Sequence, residues 1–90
     1  MKSRSQARFN TRMLFICLHL KLFKKLEVIH TQNKKTGMFI KGGEYDKVLM
    51  DISDKARVEI GYSESTWWKD ISWNLYIAYK KGKHKKYLIN

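Results

Sequence analysis

Proline is absent from these 90 residues, and cysteine, glycine and acidic side chains are scarce, at one, five and eight. Each shortage removes a class of reading. No proline marks a turn or an element boundary, so that punctuation falls to glycine and to polar clusters. Cys17 has no partner for an intramolecular disulfide or a cysteine-based zinc site. It sits in an apolar run with no nucleophile motif around it, which suits a small buried hydrophobe in a reducing, cytoplasmic setting. His19, His30 and His84 are scattered, without His-x-x-x-His or His-Glu spacing, so no metal is expected. Gly42-Gly43 is too short for a phosphate-cradling loop, and no cofactor motif occurs.

Long apolar runs are missing as well, and no stretch approaches the ~20 residues that cross a bilayer. Lys2, Arg4, Arg8 and Arg12 precede Met13 to Leu20, but His19 and Lys21 end that run early and no small-residue cleavage site follows, unlike a secretory signal. An organellar transit segment fits the acid-poor N-terminus better, and a folded domain is preferred over it. An interfacial helix over Leu14 to Ile29 is disfavoured because Leu20 and Phe23 leave the Leu14, Leu18, Leu22 stripe.

What remains is strongly basic and well supplied with core material. Nineteen Lys and Arg against eight acids give a net charge of +11, and 43% of residues are hydrophobic, with three Trp, five Tyr and four Phe. That is enough apolar surface for one small domain, unlike a disordered basic tail. Residues 1–41 hold ten basic and one acidic side chain, residues 42–79 four and seven, and residues 80–90 five and none. The positive charge therefore lies at the two ends, and the ends would form one basic face if they pack together.

Alternation of Ile71, Trp73, Leu75, Ile77 and Tyr79 predicts a strand, the Lys80 to Lys83 stretch a turn, and Tyr87 to Ile89 a return strand. Leu26 to His30 and Met38 to Ile40, flanking Asn33 to Gly37, predict a second hairpin. Ala56, Val58, Ile60 and Tyr62 alternate like a further strand, with Val48 to Ile52 as its partner, although the latter also fits helical spacing. Thr11 to Lys25 has no breaker and predicts a helix capped by Asn10 or Thr11 that yields to a strand near Leu26. The expectation is an α+β fold, an N-terminal helix followed by an antiparallel β-meander of about five or six strands, with a small all-β barrel as the alternative. Residues 1–90 form a single domain, with residues 1–9 a flexible basic arm.

Lys80, Lys81, Lys83, Lys85 and Lys86 concentrate five ammonium groups in one turn, suited to phosphates. Tyr76, placed opposite Trp73 by strand alternation, and Tyr87 are the aromatics expected to stack on bases. Arg4, Arg8 and Arg12 recur every four residues and would line one face of a helix. Lysine outnumbers arginine fifteen to four, which favours point-charge attraction and low sequence specificity. Trp67 and Trp68 cannot easily both face one core, and their neighbours Glu64, Lys69 and Asp70 suit a protein partner better than phosphate.

The leading expectation is a non-enzymatic nucleic-acid binder, RNA or single strands ahead of duplex DNA. The alternative is a small protein-binding inhibitor or accessory factor, of the kind carried by phages and mobile elements, docking on a host protein through Trp67 and Trp68. A metal-independent ribonuclease using His84 with Tyr87 or Glu59 is the third reading.

Overall fold

The computed structural model describes residues 4–63 and 65–88, with side chains from Phe9 onward. Among them there are four α-helices and no strand: α1 (Arg4–Leu18), α2 (Leu20–Thr36), α3 (Glu44–Glu59), α4 (Trp68–Lys80), then a single 3-10 turn, Lys85–Tyr87. α3 and α4 form the most extensive pairing, α2 packs on α3, and α1 lies against α4 and the 3-10 turn.

Each helix buries one stripe. α3 turns Val48, Leu49, Ile52 and Ala56 inward, the one- and four-residue spacing of a helical face. Its first turn carries Glu44 and Asp46 and its last carries Arg57, matching the helix dipole at both ends. Asp46 also reaches back to accept the Gly42 N–H at 2.9 Å. α4 buries Ile71, Ser72, Leu75 and Tyr76, and α2 buries Phe23 and Leu26. Met13 and Ile16 of α1 complete the core. The two buried serines are satisfied locally, since the Ser53 and Ser72 hydroxyls both donate to the Trp68 carbonyl.

α1 and α2 are nearly one helix. The break is the single residue His19, which leaves helical geometry at φ −120° and ψ 36°. Its imidazole is held by Glu59 at the end of α3, with Nε2 2.9 and 3.0 Å from the two carboxylate oxygens. The break is thereby tied to the helix that α2 packs against.

The expected sheet does not form, and the barrel alternative falls with it. Ile71 to Tyr79 is the body of α4, because residues 71, 75 and 79 satisfy a four-residue period as well as alternation. The buried Ser72 and Tyr76 complete that helical face. Leu26 to Asn33 is the continuation of α2, and Met38 to Ile40 is irregular and exposed. Val48 to Ile52 and Ala56 to Val58 belong to α3, so the helical spacing noted in the first of these was the correct one. Lys80 to Lys83 is a helix end, and Tyr87 lies in the 3-10 turn; Ile89 falls outside the described residues. The N-terminal helix is present but begins at Arg4, so Asn10 and Thr11 do not cap it.

Glycine after a helix, read as a hairpin turn, is the signal that was misassigned. Gly37 takes φ 72°, a left-handed conformation that terminates α2, and its N–H and that of Met38 both return to the Asn33 carbonyl. Lys34 and Lys35 fill the last turn, as a helix C-terminus favours.

Candidate nucleic-acid interface

The chain after α4 folds back onto α1. The Tyr87 hydroxyl donates to Asn10 Oδ1, and the Cys17 thiol lies 3.5 Å from the His84 carbonyl. The Lys86 ammonium stands 5.7 Å from the Phe9 ring centroid and 5.4 Å from that of Tyr87. His84 is buried and its ring stacks on Tyr79 at 5.3 Å, while Tyr79 stacks on Phe23 at 5.5 Å. The C-terminal lysine turn therefore lies against α1, on the helix that carries Arg12.

Five lysines that are neighbours in sequence are distributed around this end. Lys81 and Lys83 line a cleft of about 180 Å³ with Arg12 and Tyr62. Lys85 lines another, of about 310 Å³, with Lys24 of α2. Gly82, at φ 72°, permits the sharp turn between them. A Cβ there would stand 3.3 Å from Cδ and Cε of Lys85, so the lysine stem runs over the bare backbone. Lys80 is committed elsewhere, with Nζ 2.7 Å from Glu27 Oε2.

The acids do not neutralise this end. Among the described residues, ion pairs join His19 to Glu59, Lys55 to Asp51, Arg57 to Asp54, Lys69 to Asp46 and Lys80 to Glu27. Arg12, Lys81, Lys83, Lys85 and Lys86 have no carboxylate partner among the described residues, and Lys24 shares Glu27 with Lys80, whereas α3 carries five acids against three basic side chains. Unpaired like charges repel one another and attract a polyanion. Arg8 and Arg4 fall on the α1 backbone one and two turns before Arg12; their side chains lie outside the described part.

Protonation inside the cleft is set by its neighbours. The hydrogen bond from Lys80, aided by one from Tyr79, holds the Glu27 carboxyl below its ordinary range despite partial burial. Burial and then the Glu27 hydrogen bond push Tyr79 up to about 12. Burial first and Lys85 second lower His84, which favours the neutral imidazole. His84 Nδ1 is buried without a hydrogen-bond partner among the described residues.

The proposed stacking and acid–base groups are not assembled. Tyr76 is 3% exposed in the core, while Trp73, assigned to the core by alternation, is 39% exposed. Tyr87 is half-buried with its hydroxyl engaged. Of the ribonuclease candidates, Glu59 holds His19, Tyr87 holds Asn10, and His84 is packed under Tyr79. Lys24 and Glu27 joined the site through tertiary contact alone. No group of three or more His, Cys, Asp or Glu among the described residues is placed to hold a metal ion, and no helix among them is long and apolar enough to cross a membrane.

Trp67 and Trp68 open α4 well away from this lysine cluster in sequence, with ring centroids 5.8 Å apart and planes at 44°. Trp67 is 56% exposed and Trp68 is half-buried. No family model matches this chain, and no curated protein or solved structure shows significant similarity to it. The functional reading rests on the geometry.

Proposed function

We propose that this is a small, non-enzymatic nucleic-acid-binding protein that attaches to the phosphate backbone through its basic end, with little sequence preference. One observation carries the reading: the C-terminal lysine turn folds back onto α1, and Arg12, Lys81, Lys83, Lys85 and Lys86 there lack acidic partners among the described residues, while Lys80 is paired with Glu27. Arg12, Lys81, Lys83, Lys85 and Lys86, with Lys24 beside them, present point charges that can displace counterions from a phosphate chain. Burial of Tyr76 removes one of the two base-stacking groups from that surface, which supports phosphate contact over base reading. A cytoplasmic setting, where Cys17 stays reduced, goes with this function.

The test is the salt dependence of binding to an RNA hairpin, a single strand and a DNA duplex, followed by fluorescence anisotropy. Replacing Lys81, Lys83, Lys85 and Lys86 together by Gln should reduce the slope of log K against log salt by ~3, at ~0.7 to 0.9 for each phosphate left unneutralised. Replacing Lys34 and Lys35, in the last turn of α2, should leave it nearly unchanged. An unaltered slope in the four-lysine variant refutes the basic end as the binding face.

A further inference from the structure

A second surface, remote in sequence from the lysine cluster, combines three large apolar side chains with three lysines and one aspartate. The start of α3 and the start of α4 enclose a groove of about 620 Å³, with Met50, Trp67 and Trp68 as its apolar walls and Lys41, Lys47 and Lys69 around it. Trp67, at 56% exposed, presents most of a large ring to solvent at its edge. Sequence neighbours made this loop look neutral to acidic. Tertiary packing reverses the sign, because it brings Lys41 and Lys47 from another element.

The one carboxylate lining the groove among the described residues is already engaged. Asp46 accepts the Gly42 N–H at 2.9 Å and faces the Lys69 ammonium at 3.9 Å. Lys69 also lies 5.2 Å from the Trp68 ring centroid, which fixes it at the wall. Lys41 and Lys47 are exposed and have no acidic partner among the described residues. Among the described residues no side chain caps the N-terminus of α4, where Trp67 occupies the cap position, and Asp70 in the first turn balances the positive potential of its orphan N–H groups.

We propose that this groove docks an acidic segment of a partner protein, in which a bulky apolar side chain is flanked by carboxylates. The apolar anchor fills the corner between Met50 and the two tryptophans, and the carboxylates pair with Lys41 and Lys47. Exposed tryptophan beside a concave apolar surface is the composition of a binding hot spot. The ring geometry argues against a nucleic-acid strand, since planes tilted at 44° leave no parallel slot for a flat base.

The experiment titrates the full chain with three probes and follows the indole N–H resonances of Trp67, Trp68 and Trp73. The probes are a synthetic peptide with Leu and Phe set among Asp and Glu, its Asn and Gln counterpart, and single-stranded RNA. The acidic peptide should shift Trp67 and Trp68 and spare Trp73, while the amide counterpart and the RNA leave all three in place. Trp67→Ala, and separately Lys41→Glu with Lys47→Glu, should each weaken peptide binding by roughly tenfold or more. The second variant changes only exposed lysines, so it keeps the test decisive if the first perturbs folding. The four-lysine variant of the basic end should bind the peptide normally, which separates this site from the nucleic-acid reading. Equal binding of the amide peptide, full affinity in the lysine-reversed variant, absence of any shift, or RNA moving the same two indoles overturns the proposal.

Discussion

Tyr76 and Trp73 exchange roles between the two ways of reading residues 71–79, and their substitution by alanine measures which is correct. Tyr76 is 3% exposed, and its ring lies 5.7 Å from His30, 5.6 Å from Trp73 and 6.2 Å from Tyr79. Removing a fully buried aromatic ring costs ~3 to 5 kcal/mol, the transfer energy plus the cavity left behind. A domain of this length has only ~5 to 13 kcal/mol in total, so Tyr76→Ala should lose a large fraction of its stability. At ~4 to 8 °C per kcal/mol, the melting temperature should fall by more than ~12 °C. Trp73 is 39% exposed, and its ring pairs with those of His30 and Tyr76. Trp73→Ala should therefore cost roughly 1 to 2 kcal/mol, from its partial burial and two ring pairings. Tyr76→Phe isolates the hydroxyl, which makes no hydrogen bond among the described residues, and should cost under about 1 kcal/mol. The assay is urea unfolding followed by circular dichroism, with the m-value checked for constancy. A larger destabilisation by Trp73→Ala than by Tyr76→Ala would refute the helical packing of residues 71–79.

Two other expectations follow from individual residues. Burial first, then Lys34 and Lys80, lower the pKa of His30 in the folded state, so the unfolded chain binds the proton more readily. The stability this represents is complete above the ordinary histidine value of 6.5 and is lost as pH falls through the lower folded value. Melting temperatures measured down from pH 7.5 should decline below about 6.5, and His30→Gln should flatten that decline; identical profiles would show that His30 is not the responsible group. Gly37→Ala should cost about 1 kcal/mol or slightly more, because a Cβ at φ 72° meets nothing within 4 Å and only the backbone penalty remains. Thermal unfolding of the pair measures it, and a neutral result would mean α2 does not end in the left-handed conformation.

Local patterns were ambiguous where two periods shared the same residues. Residues 71, 75 and 79 lie on one face of a strand and on one face of a helix, so alternation alone could not separate them. Tyr76 and Ser72 decide it, being buried beside Ile71 and Leu75, which alternation forbids and a four-residue period requires. The richness of α4 in aromatic and β-branched residues pulled the local reading toward a strand, and packing against α3 overrode that propensity. Helix-stop chemistry was legible but misassigned, as Lys34, Lys35 and Gly37 form a helix C-terminus as readily as a turn. Thr11 to Lys25 is helical, but as the end of α1 and the start of α2 with a break at His19, and no strand follows at Leu26.

The candidate sites divide in the same way. The lysine cluster, the arginine spacing and the adjacent tryptophans were visible as composition. Which lysines stand unpaired was not, because Lys80 meets Glu27 across 53 positions of chain. The sign of charge around Trp67 was likewise set by Lys41 and Lys47 from a different helix start.

By itself the sequence determined the net charge of +11, its segregation to the chain ends, the lack of an intramolecular disulfide among these residues, and the presence of enough apolar residues for one core. These are sums over residues and need no knowledge of who meets whom. Tertiary structure alone decided that the middle is helical, that the C-terminal lysine turn meets α1 through Tyr87 and Asn10, and that a lysine-rimmed groove surrounds the tryptophans. Each of these depends on contacts between residues far apart in the chain, whose energies decide the outcome wherever local preference is evenly balanced.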